Sequence, residues 1–326
     1  MLYRSTNSDT GGPTQVSGAV FIPLGDAPAN GWPVVAVAHG TTGINEPCAP
    51  SLSGTLSDHV YWVSSLVDLG FAVALTDYEG LGSPGVHPYL DARTAGFNVI
   101  DSVRALRHTF PQVSPNWTAL GGSQGGGAVW AADEVARTYA PELNLAGAVA
   151  WAPAADVVGL VDKSIAGTLT REQGGLLQSV IESLARRHPE INRDDYRRGA
   201  AGKYWDVLSS CSGALEQERS SAVGQLGRQD LAPATPQAVE RLKGYLQAWA
   251  VPKGELSAPL SIVYGDHDEY IDPIWTTEAI IRACQLGGTL AWQLQPGKGH
   301  GGLDLQAQLA WIGDRFSGKP AANYCS

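Results

Sequence analysis

Charge is scarce in this chain: of its 326 residues 17% are charged, and basic residues are the rarer sign, 22 Lys and Arg against 32 Asp and Glu. A nucleic-acid backbone is bound by a basic face that releases counterions, so a formal net charge of -10 excludes that partner. The two basic pairs, Arg186-Arg187 and Arg197-Arg198, both stand near acids. No apolar run approaches the roughly 20 residues of a membrane-spanning helix, so integral membrane insertion is not expected. Disorder is excluded by a 44% hydrophobic content with 39 glycines and no biased tract, the composition of a turn-rich globular enzyme. The first six residues lack the apolar stretch of a signal peptide, which argues neither for nor against export; a mature chain with an added initiator Met is one reading.

Cysteine is also sparse. Cys48, Cys211, Cys284 and Cys325 show none of the C-x-x-C spacing of zinc or redox sites, and no metal or cofactor is expected. An even count fits two disulfides among three possible connectivities, against the plainer alternative of free buried thiols. Cys325, next to last in the chain, favours the bridges, since a terminus tied down in this way belongs to an oxidising compartment. A secreted protein, working as a monomer, is the expectation.

What is present is an alternation. Short apolar runs at 34–38, 71–75, 117–120, 145–151, 260–264 and 290–294 are bounded by glycine, proline or aspartate, with helical segments between them. A more alternating run at 16–22 predicts an antiparallel edge strand. Helical spacing follows the second run at 92–107 and the third at 126–139. The fold class is therefore α/β, a mostly parallel central sheet flanked by helices. Between about 156 and 253 no strand-like run occurs, and helices are predicted at 174–187 and at 236–249, the latter entered from Thr235 as N-cap. This predicts a core of residues 1–154 and 255–326 carrying an inserted helical cap at 155–254, rather than a separate helical domain.

The third run passes through Gly121-Gly122-Ser123-Gln124-Gly125 into a helix. A nucleophile elbow needs this arrangement: the serine sits on a strained turn with its hydroxyl exposed, and small neighbours let strand and helix approach. The pattern predicts an α/β-hydrolase with Ser123 as nucleophile, and the helix start aims the Gln124 N–H at a developing oxyanion. In this fold an acid and then a histidine follow the serine. Of His108, His188, His267 and His300, the last follows the final strand between glycines, in Gly299-His300-Gly301, and is the expected base. The acid lies in Asp266-His267-Asp268-Glu269-Tyr270-Ile271-Asp272. Asp268 is preferred on its position beyond the strand; Asp272 competes as a helix N-cap and Asp266 as a turn residue. A calcium loop is disfavoured there by the missing turn glycine and distal glutamate. Thr41, in His39-Gly40-Thr41-Thr42-Gly43 after the first parallel strand, is the candidate second oxyanion donor through its N–H, with its hydroxyl assisting. His87 and the tryptophans of the helical segment are candidates for lining an acyl pocket, against the plainer reading that they are core.

Taken in order, His39-Gly40-Thr41-Thr42-Gly43 with Cys48-Ala49-Pro50-Ser51, Asp77-Tyr78-Glu79-Gly80-Leu81-Gly82, Gly85-Val86-His87-Pro88-Tyr89-Leu90, Gly121-Gly122-Ser123-Gln124-Gly125-Gly126, Asp268-Glu269 and Gly299-His300 resemble the secretory lipase family over nearly the whole chain. The resemblance implies an extracellular esterase or lipase that cleaves acyl esters or glycerides, a helical cap over the acyl pocket, and a triad of Ser123, Asp268 and His300. It also implies the pairings Cys48 with Cys211 and Cys284 with Cys325. The chain departs from the family's yeast member in carrying Thr41 where that enzyme has an acidic oxyanion-loop residue, and in being shorter. The competing functions are an acyltransferase built on the same triad and a non-catalytic ligand-binding pseudo-hydrolase.

Overall fold

The computed structural model describes residues 1–212 and 215–325. Eight strands form one sheet in the order β1-β2-β4-β3-β5-β6-β7-β8. They are β1 (Leu2–Thr6), β2 (Pro13–Phe21), β3 (Trp32–Ala38), β4 (Ala72–Thr76), β5 (Val113–Gly122), β6 (Asn144–Trp151), β7 (Leu260–Gly265) and β8 (Leu290–Gln295). β1 and β2 run antiparallel at one edge, and every pairing from β4 through β8 is parallel.

Successive side chains of a strand point to opposite faces, and the core divides accordingly. Val34, Ala36, Ala74, Ala119, Ala148 and Ile262 face α2 (Ala92–Thr109), α3 (Gln124–Tyr139) and α9 (Pro273–Gln285) in one apolar cluster. Val35, Val37, Val73, Leu75, Leu120 and Val149 face α1 (Val60–Asp68) and α10 (Gln306–Phe316) in another. Covered on both sides, the parallel strands are apolar at nearly every position, which is why they read as continuous runs.

Between β6 and β7 the described residues contain helices only: α4 (Gly159–Ala166), α5 (Arg171–Arg187), α6 (Gly199–Leu208), α7 (Glu216–Val223) and α8 (Pro236–Trp249). α8 starts where the sequence places it, with Thr235 Oγ1 accepting from Ala238 N at 3.2 Å. α5 starts earlier than its apolar period, because Thr170 and Gln173 form a capping box. α4, α5, α6 and α8 share an apolar cluster that includes Leu160, Leu177, Ile181, Trp205, Leu242 and Trp249, while α7 packs through Ala222 and Val223 against Leu208 at the end of α6. The same cluster takes in Ile44, Tyr89, Leu90 and Ile271 from loops beyond the carboxyl ends of strands, so the helices rest on that edge of the sheet. Trp205 and Trp249 are thus core residues, the plainer of the two readings that the sequence offered for the tryptophans of this segment.

Cys48–Cys211 joins the loop after β3 to the segment after α6, and Cys284–Cys325 joins the end of α9 to the C-terminal residues. Among the described residues no helix is long and apolar enough to cross a membrane.

Candidate active site

Ser123 sits between β5 and α3 at φ 56° and ψ -119°, a conformation that costs a non-glycine residue about 1–3 kcal/mol and survives only where its surroundings impose it. Here they do. Ser123 N donates to Trp151 O at the end of β6 (3.0 Å), and Ser123 O accepts from Ala154 N (2.9 Å). The strand and helix on either side approach so closely that a Cβ on Gly125 would lie 2.0 Å from Ala38 O, and one on Gly121 2.3 Å from Gly125 O. The first turn of α3 therefore lies against the end of β3, with the Gln124 N–H, an N-terminal donor without an intrahelical partner, beside the serine.

Gln124 is itself held by a buried chain of hydrogen bonds. His87 Nδ1 donates to Glu79 O at 2.9 Å, which leaves Nε2 as the acceptor for Gln124 Nε2 at 2.8 Å. Burial, with His39 and Arg187 adding repulsion, lowers the His87 pKa to about 3, so the ring is neutral. His87 lines neither cavity at the site; it is a buried residue, as the plainer reading had it, and supports the elbow through Gln124. Its phase in Gly85-Val86-His87-Pro88 gave no signal for this, because the partner lies 37 residues on.

The loop after β3 runs beside the serine, a Cβ on Gly40 falling 3.9 Å from Ser123 Cβ. Thr41 follows, its Oγ1 2.7 Å from Tyr89 Oη. His39, by contrast, is buried beneath the loop, with Nδ1 on Gly40 O and Nε2 on Asp77 O. Burial, reinforced by His59, lowers its pKa to about 4.

His300 Nδ1 is 2.8 Å from Asp268 Oδ2, and the other carboxylate oxygen of Asp268 accepts from Tyr270 N (2.8 Å) and Ile271 N (2.9 Å). The two competing aspartates are engaged elsewhere. Asp272 pairs with Lys163 Nζ at 2.8 Å and accepts from Gln173 Nε2 at 2.7 Å; it precedes α9 without capping it through its side chain. Asp266 takes His267 Nδ1 and, across to the loop after β8, Gly297 N, both at 2.6 Å. His108 and His188 lie on α2 and at the end of α5, away from these groups.

Two cavities meet at Ser123, His300, Gly40 and Thr41. The larger, about 980 Å³, is bounded by the 47–59 loop, Trp151 and the Cys48–Cys211 bridge. The smaller, about 600 Å³, lies under α5 and α7 and is faced by Arg171, Glu172, Glu216, Arg219, Tyr89 and Tyr270. Among the described residues no bond joins the Ser123 hydroxyl to His300, an arrangement common before substrate closes the site. No cluster of His, Cys, Asp or Glu among the described residues has the form of a metal site.

A mostly parallel sheet with a strained serine between strand and helix defines an α/β-hydrolase. The secretory lipase family model matches residues 51–211, and the chain is a relative of the secretory lipases. It is 27% identical to a protein of Mycobacterium tuberculosis named a probable inactive lipase, over 99% of this chain and 74% of that one. It is also 27% identical to lipase A of Arthroderma benhamiae, over 100% of this chain and 72% of the other. Its fold is similar to that of Candida antarctica lipase A in its closed state, at a TM-score of 0.76 and 18% identity, covering 100% of this chain and 79% of that structure.

Proposed function

We propose that this protein is an active, secreted serine carboxylic ester hydrolase in which Ser123, Asp268 and His300 form the triad and helices α4 to α8 form a cap over the site. The observation that carries the reading is the single carboxylate on His300: of three nearby aspartates only Asp268 bonds its ring, at 2.8 Å, in a cavity shared with the strained Ser123. Ser123 Oγ adds to the ester carbonyl as His300 Nε2 takes its proton. Asp268 holds the ring so that Nε2 is the free nitrogen, and His300 returns the proton to the leaving alcohol. Water then repeats the sequence on the acyl-enzyme. The N–H groups of Gln124 and Thr41 receive the charge on the carbonyl oxygen.

The walls of the smaller cavity favour polar or short groups over a long acyl chain, which would strip water from Arg171, Glu172 and Arg219 there. Initial rates on esters from acetate to emulsified triglyceride should therefore fall with chain length; a sharp rise above the solubility limit would overturn this preference. Supplying an alcohol acceptor and analysing products separates hydrolysis from acyl transfer.

An organophosphonate should label Ser123 alone and abolish turnover. His300→Ala should lower kcat by about 10⁴ or more, and Asp268→Asn by a similar factor through the wrong imidazole tautomer, with Asp272→Asn near normal rates. A wild-type protein that neither reacts with the phosphonate nor cleaves any ester would instead match the relative named inactive.

A further inference from the structure

Thr41 and Tyr89 share one hydrogen bond of 2.7 Å at the wall of the smaller cavity, which both line together with Ser123 and His300. Tyr89 is 1% exposed and packs in the apolar cluster beneath α5, while its backbone N–H donates to Ser183 Oγ on that helix at 3.0 Å. Among the described residues the phenol has no other hydrogen-bond partner, and neither has the Thr41 hydroxyl. A buried O–H must find an acceptor, and among the described residues the protein atom bonded to the Tyr89 phenol is Thr41 Oγ1, where either oxygen can donate. With Tyr89 the more deeply buried of the two, the phenol is assigned as donor and Thr41 as acceptor. That leaves the Thr41 proton free, at a side chain only partly buried and facing the cavity where Ser123 attacks.

We propose that the Thr41 hydroxyl is a third oxyanion donor, alongside the N–H groups of Thr41 and Gln124, and that Tyr89 is the positioning residue that fixes its direction. The proposal rests on Ser123 being the nucleophile. When Ser123 Oγ bonds to the carbonyl carbon, the carbon–oxygen π pair moves onto oxygen. The Thr41 O–H donates a hydrogen bond to that oxygen and keeps its proton. Collapse returns the pair, breaks the bond to the leaving alkoxide, and His300 protonates the alkoxide. Because the oxygen carries more charge in the tetrahedral state than in the ester, the bond acts on kcat more than on KM.

The experiment compares Thr41→Val, Thr41→Ser, Tyr89→Phe and the Thr41→Val/Tyr89→Phe pair with the wild type. Read out are kcat and KM on a water-soluble ester, affinity for a trifluoromethyl ketone that traps as the serine hemiketal, and Tm. Thr41→Val should lower kcat by about 100-fold with KM changed little, and weaken the ketone in proportion. Thr41→Ser should retain most activity. Tyr89→Phe should cost about tenfold, the worth of one orienting hydrogen bond, and nothing further once Thr41 is Val. Thr41→Val with kcat within twofold of wild type and an unweakened ketone would overturn the third donor. A Tyr89→Phe loss of equal size in both backgrounds would overturn the positioning role. A wild-type protein inert to esters and to the ketone would show that the nucleophile assignment itself had failed, and both would fall together.

Discussion

His87 lines neither cavity at Ser123 and yet bears on the turn that carries it, because it holds the side chain of Gln124, the proposed oxyanion donor. Its neutrality is built in: burial lowers its pKa to about 3, whereas in the unfolded chain it titrates near 6.5. The unfolded state thus takes up a proton that the folded state refuses, so stability is fully present above about pH 6.5 and is lost as pH falls toward 3. His87→Gln can still bond Gln124 but does not titrate. Urea unfolding between pH 4.5 and 6.5 should show a shallower acid loss in the variant, by up to about 1.4 kcal/mol per pH unit; parallel profiles would refute the assignment. At this scale the sequence marks the loops of Ser123 and His300 through their flanking glycines, and the fold places both residues on one cavity. It was silent on the partners of His87, Glu79 and Gln124, and preferred Asp268 by position alone, because only the fold reveals that Lys163 and Gln173 occupy Asp272.

Among the elements, the turn from β5 into α3 is held by backbone approach rather than by side chains. Gly125→Ala would set a methyl 2.0 Å from Ala38 O, where neither β3 nor α3 can yield without displacing Ser123. A loss of about 3 kcal/mol or more in stability, with activity abolished, is expected. Gly244→Ala is the matched control: it lies exposed within α8 with no atom within 4 Å of the new methyl, and should stabilise by up to about 1 kcal/mol through helix propensity. If both substitutions were tolerated alike, the close approach at the elbow would be wrong. The same packing explains which elements the sequence reveals. Strands β3 to β7 are covered on both faces and read as apolar runs, whereas β1 buries only alternate residues, Tyr3 and Ser5 among them, and passes for a polar terminus. The start of α5 escapes an apolar period because its first turn is set by a capping box.

Across the whole molecule, the two bridges do different work. Cys48–Cys211 spans 163 residues and ties the loop beside Thr41 to the helical segment over the site; Cys284–Cys325 spans 41 and pins the C-terminal residues to α9, far from Ser123. Restricting the unfolded chain in loops of these lengths stabilises by about 5 and about 4 kcal/mol in the chain-entropy treatment, with native strain able to reduce either. The energies are similar, so the two should be told apart by activity. Replacing Cys48 and Cys211 with serine should lower Tm and also kcat, since Cys48, Cys211 and Ser212 wall the larger cavity and the polypeptide continues from there into α7. Replacing Cys284 and Cys325 should lower Tm by several degrees and leave kcat intact at temperatures where the variant is folded. The secreted reading adds that the unreduced, denatured protein has no titratable thiol and yields these two pairs by peptide mass spectrometry. Four reactive thiols would refute export into an oxidising compartment, and a Cys48–Cys284 peptide would refute the seating of the helices on the sheet's carboxyl edge.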